Sequence, residues 1–169
     1  MKRAMMTVCP VFNTSRMVQE YTEKCYGPSA ERFEALTGEN LRKAAALAQW
    51  RRSVARAWQA IRVEAVEANG ADPMHVGGKL TVKARVNLGS LSPNDVQVQL
   101  FHGALDNQGE IPHPSAVAMS HNGAHEGSSW VFTGTIPCRS SGQHGFAVRV
   151  LPRNDDLANP FEPGLLVWG

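Results

Sequence analysis

Leu80-Thr81-Val82-Lys83-Ala84-Arg85-Val86-Asn87-Leu88 alternates apolar with polar side chains at every step. In an extended chain successive side chains point to opposite faces, so this stretch reads as a strand with one face in a core and the other in water. The same period of two runs backward through Ile61, Val63 and Ala65 and forward through Val96, Val98 and Leu100. Ala116 to Ser120, Trp130 to Ile136, Phe146 to Leu151 and Leu165 to Trp168 complete the expected strands. Turn formers separate them: Asn69-Gly70-Ala71-Asp72-Pro73, Leu91-Ser92-Pro93-Asn94-Asp95, Asp106-Asn107-Gln108-Gly109 and Ser140-Ser141-Gly142. Strands at this spacing with no helix between them predict an antiparallel sandwich of immunoglobulin-like type, whose two inner faces bury each other. No internal repeat is visible, which argues against a propeller or a solenoid.

Upstream of Ile61 the period is helical. Asn13-Thr14-Ser15 supplies N-cap side chains before a helix from Arg16 to Tyr26, and Gly27-Pro28 is expected to stop it. A second helix is expected from about Glu39 to Ala60, with Leu47, Trp50, Val54, Trp58 and Ile61 on one face. The predicted organisation is therefore α+β, with a helical segment over 1–60 and an all-β sandwich over 61–169.

At 169 residues the chain holds one ordinary domain, or a small domain with a large appendage. Hydrophobic residues make up 43% and charged residues 19%, which fits neither a disordered tail nor a membrane protein. No apolar run approaches the roughly 20 residues that cross a bilayer, and Pro10 interrupts the start without a small-residue cleavage site. The expected location is the cytoplasm. Cys9, Cys25 and Cys138 are odd in number, widely spaced and without a Cys-x-x-Cys pair, so neither a disulfide framework nor a zinc site is expected. A formal charge of +2 gives no general reason to bind nucleic acid. The arginines and lysine along the second helix are what any solvated amphipathic helix shows.

The patterns that could carry chemistry are weak. His121 and His125, with His113 and Glu126 near in sequence, lie in a stretch that reads as a loop, and no metal is assigned to them. There is no Gly-x-Ser-x-Gly elbow, and Val76-Gly77-Gly78-Lys79 and Gly142-Gln143-His144-Gly145 lack phosphate-loop spacing. No catalytic residue is expected in this chain.

Cys9-Pro10-Val11-Phe12-Asn13-Thr14-Ser15-Arg16-Met17-Val18-Gln19-Glu20-Tyr21 resembles the end of the catalytic fold in the bacterial and archaeal branch of the α-glucan (glycogen and maltodextrin) phosphorylases, glycosyltransferase family 35. In that branch a Pro-x-Phe-Asn-x-x-Arg-Met-Val motif leads into a helix. The resemblance continues through Ala48-Gln49-Trp50-Arg51, Trp58-Gln59-Ala60-Ile61-Arg62, Leu88 to Leu100, Pro137-Cys138, Gly145 to Val150 and Pro163-Gly164-Leu165, nearly the whole chain. It implies a carbohydrate-metabolism enzyme that cleaves α-1,4-glucan ends with phosphate, releasing glucose 1-phosphate, with pyridoxal phosphate held on a lysine. This sequence departs from the family there: none of Lys2, Lys24, Lys43, Lys79 and Lys83 lies in a context like the cofactor site. No cofactor is therefore assigned to this chain.

The resemblance implies a structural C-terminal portion, inactive alone, whose partner is an upstream catalytic domain. Arg16, Leu47, Trp50, Val54 and Trp58 are expected to pack on that domain. Two other functions compete with it. A glucan-binding module would use exposed aromatics, of which Phe101 and Trp130 lead and Phe161 and Trp168 follow. A free-standing immunoglobulin-like interaction domain would need the N-terminal resemblance to be accidental.

Overall fold

The computed structural model describes residues 2–69 and 75–169, so the expected turn at 70–73 lies outside the described residues. The chain divides into two compact units, Met1–Gln49 and Trp50–Gly169. The second begins before the change of periodicity at 60/61.

In the first unit, helix α1 spans Lys2–Val8 and α2 spans Thr14–Tyr21. Between them Asn13 is extended and caps α2 as expected, its Oδ1 accepting from the Arg16 N–H at 2.8 Å. Gly27-Pro28 does not stop the helical path. A π turn over Thr22–Tyr26 closes with the Gly27 N–H on the Thr22 carbonyl and leads into α3, Gly27–Ala57. A Cβ on residue 27 would stand 3.1 Å from that carbonyl oxygen, which suits glycine to the position. Pro28 lacks an N–H, but in the first turn of a helix none is needed. The expectation failed because the Gly-Pro pair opens a helix here.

Helix α3 is broken where the second helix is expected to begin: Gly38 is extended, and Glu39, Asn40 and Leu41 have φ of 50°, 58° and 63°. Left-handed backbone costs an L-residue with a Cβ about 1–2 kcal/mol, asparagine less. This unit has little interior. No residue of α2 is buried, and Met6, Phe12 and Phe33 are 78%, 75% and 67% exposed.

The second unit has a continuous core. Its strands are β1 (Arg62–Asn69), β2 (Lys79–Asn87), β3 (Val96–Ala104), β4 (Ser115–Ala118), β5 (Ser120–Glu126), β6 (Ser129–Pro137), β7 (His144–Pro152) and β8 (Val167–Trp168). They form two antiparallel four-stranded sheets, β1-β2-β6-β5 and β4-β3-β7-β8. Val82, Ala84, Val86 and Phe132 of the first sheet share one buried cluster with Val96, Val98, Leu100, Val148 and Val150 of the second. The alternation in β2 and β3 therefore faces inward as the sequence predicts.

Two differences follow from local chemistry. β1 is an edge strand with a register shift between Val63 and Ala65, so Val63 is half-buried while Ala65, expected to point inward, is exposed. β5 occupies the histidine-rich stretch expected to be a loop. All seven of its residues are exposed, and its pairing with β6 is irregular between His121 and His125, so it carries no hydrophobic period to reveal it.

The end of α3 and the 3-10 turn Trp58–Ala60 belong to this unit and feed its core. Val54 is 1% exposed and Ile61 fully buried, both in the cluster the sheets share. Where the chain turns from β2 toward β3, Gly89 has φ +58°, and a Cβ there would lie 2.8 Å from the Ala60 Cβ.

Candidate functional site

β3 alternates inward Val96, Val98 and Leu100 with outward Gln97, Gln99 and Phe101. On the outer face of this sheet the register sets Gln99 beside Arg149 of β7, and Arg149 beside Trp168 of β8. The Arg149 Nε donates to Gln99 Oε1 at 2.8 Å. Held this way, the guanidinium lies 5.2 Å from the Phe101 ring centroid, 5.4 Å from Phe161 and 5.9 Å from Trp168. Trp168 meets Phe101 edge-on at 5.3 Å. Cation–π attraction fixes such an arrangement, and it leaves a half-exposed aromatic surface, Phe161 being 52% and Trp168 49% exposed. Three of the four aromatics singled out in the sequence thus meet on one face.

Trp130, the fourth, is elsewhere. It is half-buried against the core, and His125 of β5 stacks on its ring at 4.4 Å and 15°. His121 approaches Trp130 and Phe132 edge-on at 5.5 and 5.7 Å. The face that a sugar would need on Trp130 is thus covered by an imidazole. Among the described residues, no group of three His, Cys, Asp or Glu side chains is placed to hold a metal ion.

The residues expected to pack on an upstream domain also divide. Val54 and Trp58, at 1% and 7% exposure, are spent in the core of the second unit, so they are not an exposed face awaiting a partner. Trp50 is half-buried and donates its indole N–H to Asp95 Oδ1 at 2.8 Å. That carboxylate also accepts from the Ser92 N–H, completing a capping box on the 3-10 turn Pro93–Asp95. Leu47, in the first unit, is buried as well. Arg16 is exposed and pairs with Glu20 at 3.1 Å. The apolar spacing of the helix was legible, but its use inside the chain was not, because periodicity says which residues share a face and not what covers it.

Two of the lysines considered for a cofactor have carboxylates as neighbours. Lys24 is exposed and paired with Glu20, and Lys83 shares a shallow hollow with Glu64 and Glu67.

A family model described as the glycogen phosphorylase C-terminal domain matches residues 58–169. The chain belongs to that family. Relatives of this phosphorylase C-terminal domain agree with the assignment. The chain is 37% identical over 166 residues to glycogen phosphorylases of Mycobacterium bovis and Mycobacterium tuberculosis, a span of 98% of this chain and 19% of theirs. It is 27% identical over 171 residues to the maltodextrin phosphorylase of Thermococcus litoralis, covering 99% of this chain and 20% of that protein. The chain thus spans about a fifth of the length of these relatives. No helix among the described residues is long and apolar enough to cross a membrane.

Proposed function

We propose that this chain works as the C-terminal portion of a cytoplasmic α-1,4-glucan phosphorylase, whose pyridoxal phosphate and substrate residues are carried by an upstream catalytic domain. The observation that carries the reading is the contrast in burial. The first unit exposes Met6, Phe12, Tyr26 and Phe33 while the second closes its own core. Large apolar side chains left this exposed are what the last helices of a larger domain look like without the rest of it. The family match and the extent of its relatives give that larger domain its identity. Three free cysteines suit a reducing compartment. Neither nucleic acid nor a membrane is assigned as a partner.

The strand order supports an immunoglobulin-like sandwich for the second unit. Lettered in chain order with β4 as C′, the sheets read A-B-E-D and C′-C-F-G, the arrangement of that fold with one added edge strand.

The decisive experiment is mass spectrometry of size-resolved native extract, following the peptide Val11–Tyr21. Its appearance in a chain several times larger, with upstream peptides, supports the reading. Its appearance only near 18.4 kDa overturns it.

A second reading, glucan binding by the outer sheet face, is favoured by the Phe101, Phe161 and Trp168 cluster around Arg149. Half-exposed rings offer C–H surfaces of sugars a place to lie. Retarded migration through a glycogen-containing gel, abolished by Trp168→Ala, is the expected result; unchanged migration of the unaltered chain sinks it.

A further inference from the structure

One end of the two-sheet unit gathers most of the chain's histidine. Of six histidines, four line two adjoining hollows there: His75, His102, His113 and His144. The larger hollow, about 570 Å3, has Leu80, Ile136 and Phe146 among its walls. The smaller, about 290 Å3, adds Arg139, and the two share His102, Ser140 and His144. No aspartate or glutamate lines either hollow among the described residues. On the neighbouring loop, whose Leu105 N–H bonds the Gln143 carbonyl, Asp106 turns its carboxylate to its own Gln108 and Glu110 N–H groups.

Among the described residues, these imidazoles and the guanidinium face no carboxylate across the two hollows that would serve as a counter-charge. Partial burial, and then the nearness of His144 and Arg139, push the His102 proton affinity below its ordinary value. An anion in the hollow would oppose both of the charge effects.

His144 adds a directional element. Its Nδ1 lies 3.2 Å from the Gly142 carbonyl and its Nε2 lies 3.1 Å from Ser140 Oγ. A carbonyl oxygen can only accept, so Nδ1 carries the proton in the neutral ring and Nε2 accepts from the serine hydroxyl. When the ring is protonated, Nε2–H donates to Ser140 Oγ instead. The hydroxyl proton is then free to turn into the hollow as a new donor.

We propose that this end of the unit binds a small phosphate monoester with uptake of a proton, the phosphate facing His102, Ser140, His144 and Arg139 and the organic part lying along Leu80, Ile136 and Phe146. A phosphate brings three acceptor oxygens and a second ionisation near pH ~6, which match a guanidinium fork, a hydroxyl and two imidazoles. A carboxylate has too few oxygens to meet them all. The larger hollow exceeds what a bare phosphate fills, and its apolar walls call for an organic group.

The test uses the full chain with phenyl phosphate as probe, by calorimetry at pH ~6 and ~8 and by NMR of the histidine ring carbons. Binding is expected to weaken about tenfold or more between the two values, with proton uptake and movement of the His102 and His144 signals. Arg139→Gln, on an exposed side chain, should weaken binding about tenfold with the thermal midpoint unchanged. Ser140→Ala should flatten the pH dependence more than it lowers the affinity. No binding at millimolar probe, equal affinity at both pH values, or the same shifts with phenol would each overturn the proposal. Inorganic phosphate binding as tightly as phenyl phosphate would overturn the role given to the apolar walls.

Discussion

The two units are made of similar apolar material and use it in opposite ways. In the second, Leu100, Val82, Val86 and Val148 are fully buried and interlock across two sheets. In the first, Phe12 and Phe33 stand in the open. The lesson is that a strong hydrophobic period shows where a surface wants to be covered, while the covering group can lie in the same unit or in another part of a longer protein.

The sharpest break of that comparison is by truncation in each unit. Leu100→Ala should cost about 2–5 kcal/mol in denaturant unfolding, because the facing sheets cannot collapse fully into the space. Phe33→Ala should change the stability of this chain by less than about 0.5 kcal/mol. A large effect of Phe33→Ala on this chain would show that the first unit has a core of its own. Next in size is Gly89→Ala, which forces a Cβ against Ala60 at a left-handed position; a loss of about 1–3 kcal/mol in the same measurement is expected.

Two tryptophans sharpen the contrast within the second unit. Trp50→Phe removes the donor to Asp95 and should cost about 1 kcal/mol, read by thermal melting. The buried indole N–H of Trp58 has no acceptor among the described residues, so Trp58→Phe should give up no hydrogen bond there and cost mainly volume, read in the same melts.

The smallest effect is in pH. The first unit contains no histidine, so a histidine-linked change in stability belongs to the second. His102 has a folded-state value below 6.5, so on acidification the unfolded chain takes the proton first. Stability is full above 6.5 and declines as pH falls from there through the lowered value. His102→Asn should flatten that decline in melts recorded across the window; an unaltered slope would assign it to other groups.

Much of this was readable in the residues. The inward faces of β2 and β3 follow from strict alternation, and the cap of α2 from the chemistry of Asn13. β5 was hidden because an edge strand with no buried side chain needs no apolar period. Gly27-Pro28 misled because the same pair that ends one helix can begin another. In the aromatic cluster, Phe101, Phe161 and Trp168 could be named singly. Their meeting around Arg149 depends on cross-strand register, which no local pattern encodes. The gathering of four histidines at one end was invisible for the same reason, since they come from separate strands and loops.

The match to the family's C-terminal domain begins at Trp58, yet the side chain of Val54 and the Trp50 bond to Asp95 lie upstream of that point. A gene cut at that domain boundary would release a β-unit with an empty slot in its interior and a carboxylate deprived of its donor. The piece that can be moved intact between proteins, by an engineer or by recombination, is therefore longer than the segment matched as the C-terminal domain, and it starts inside a helix.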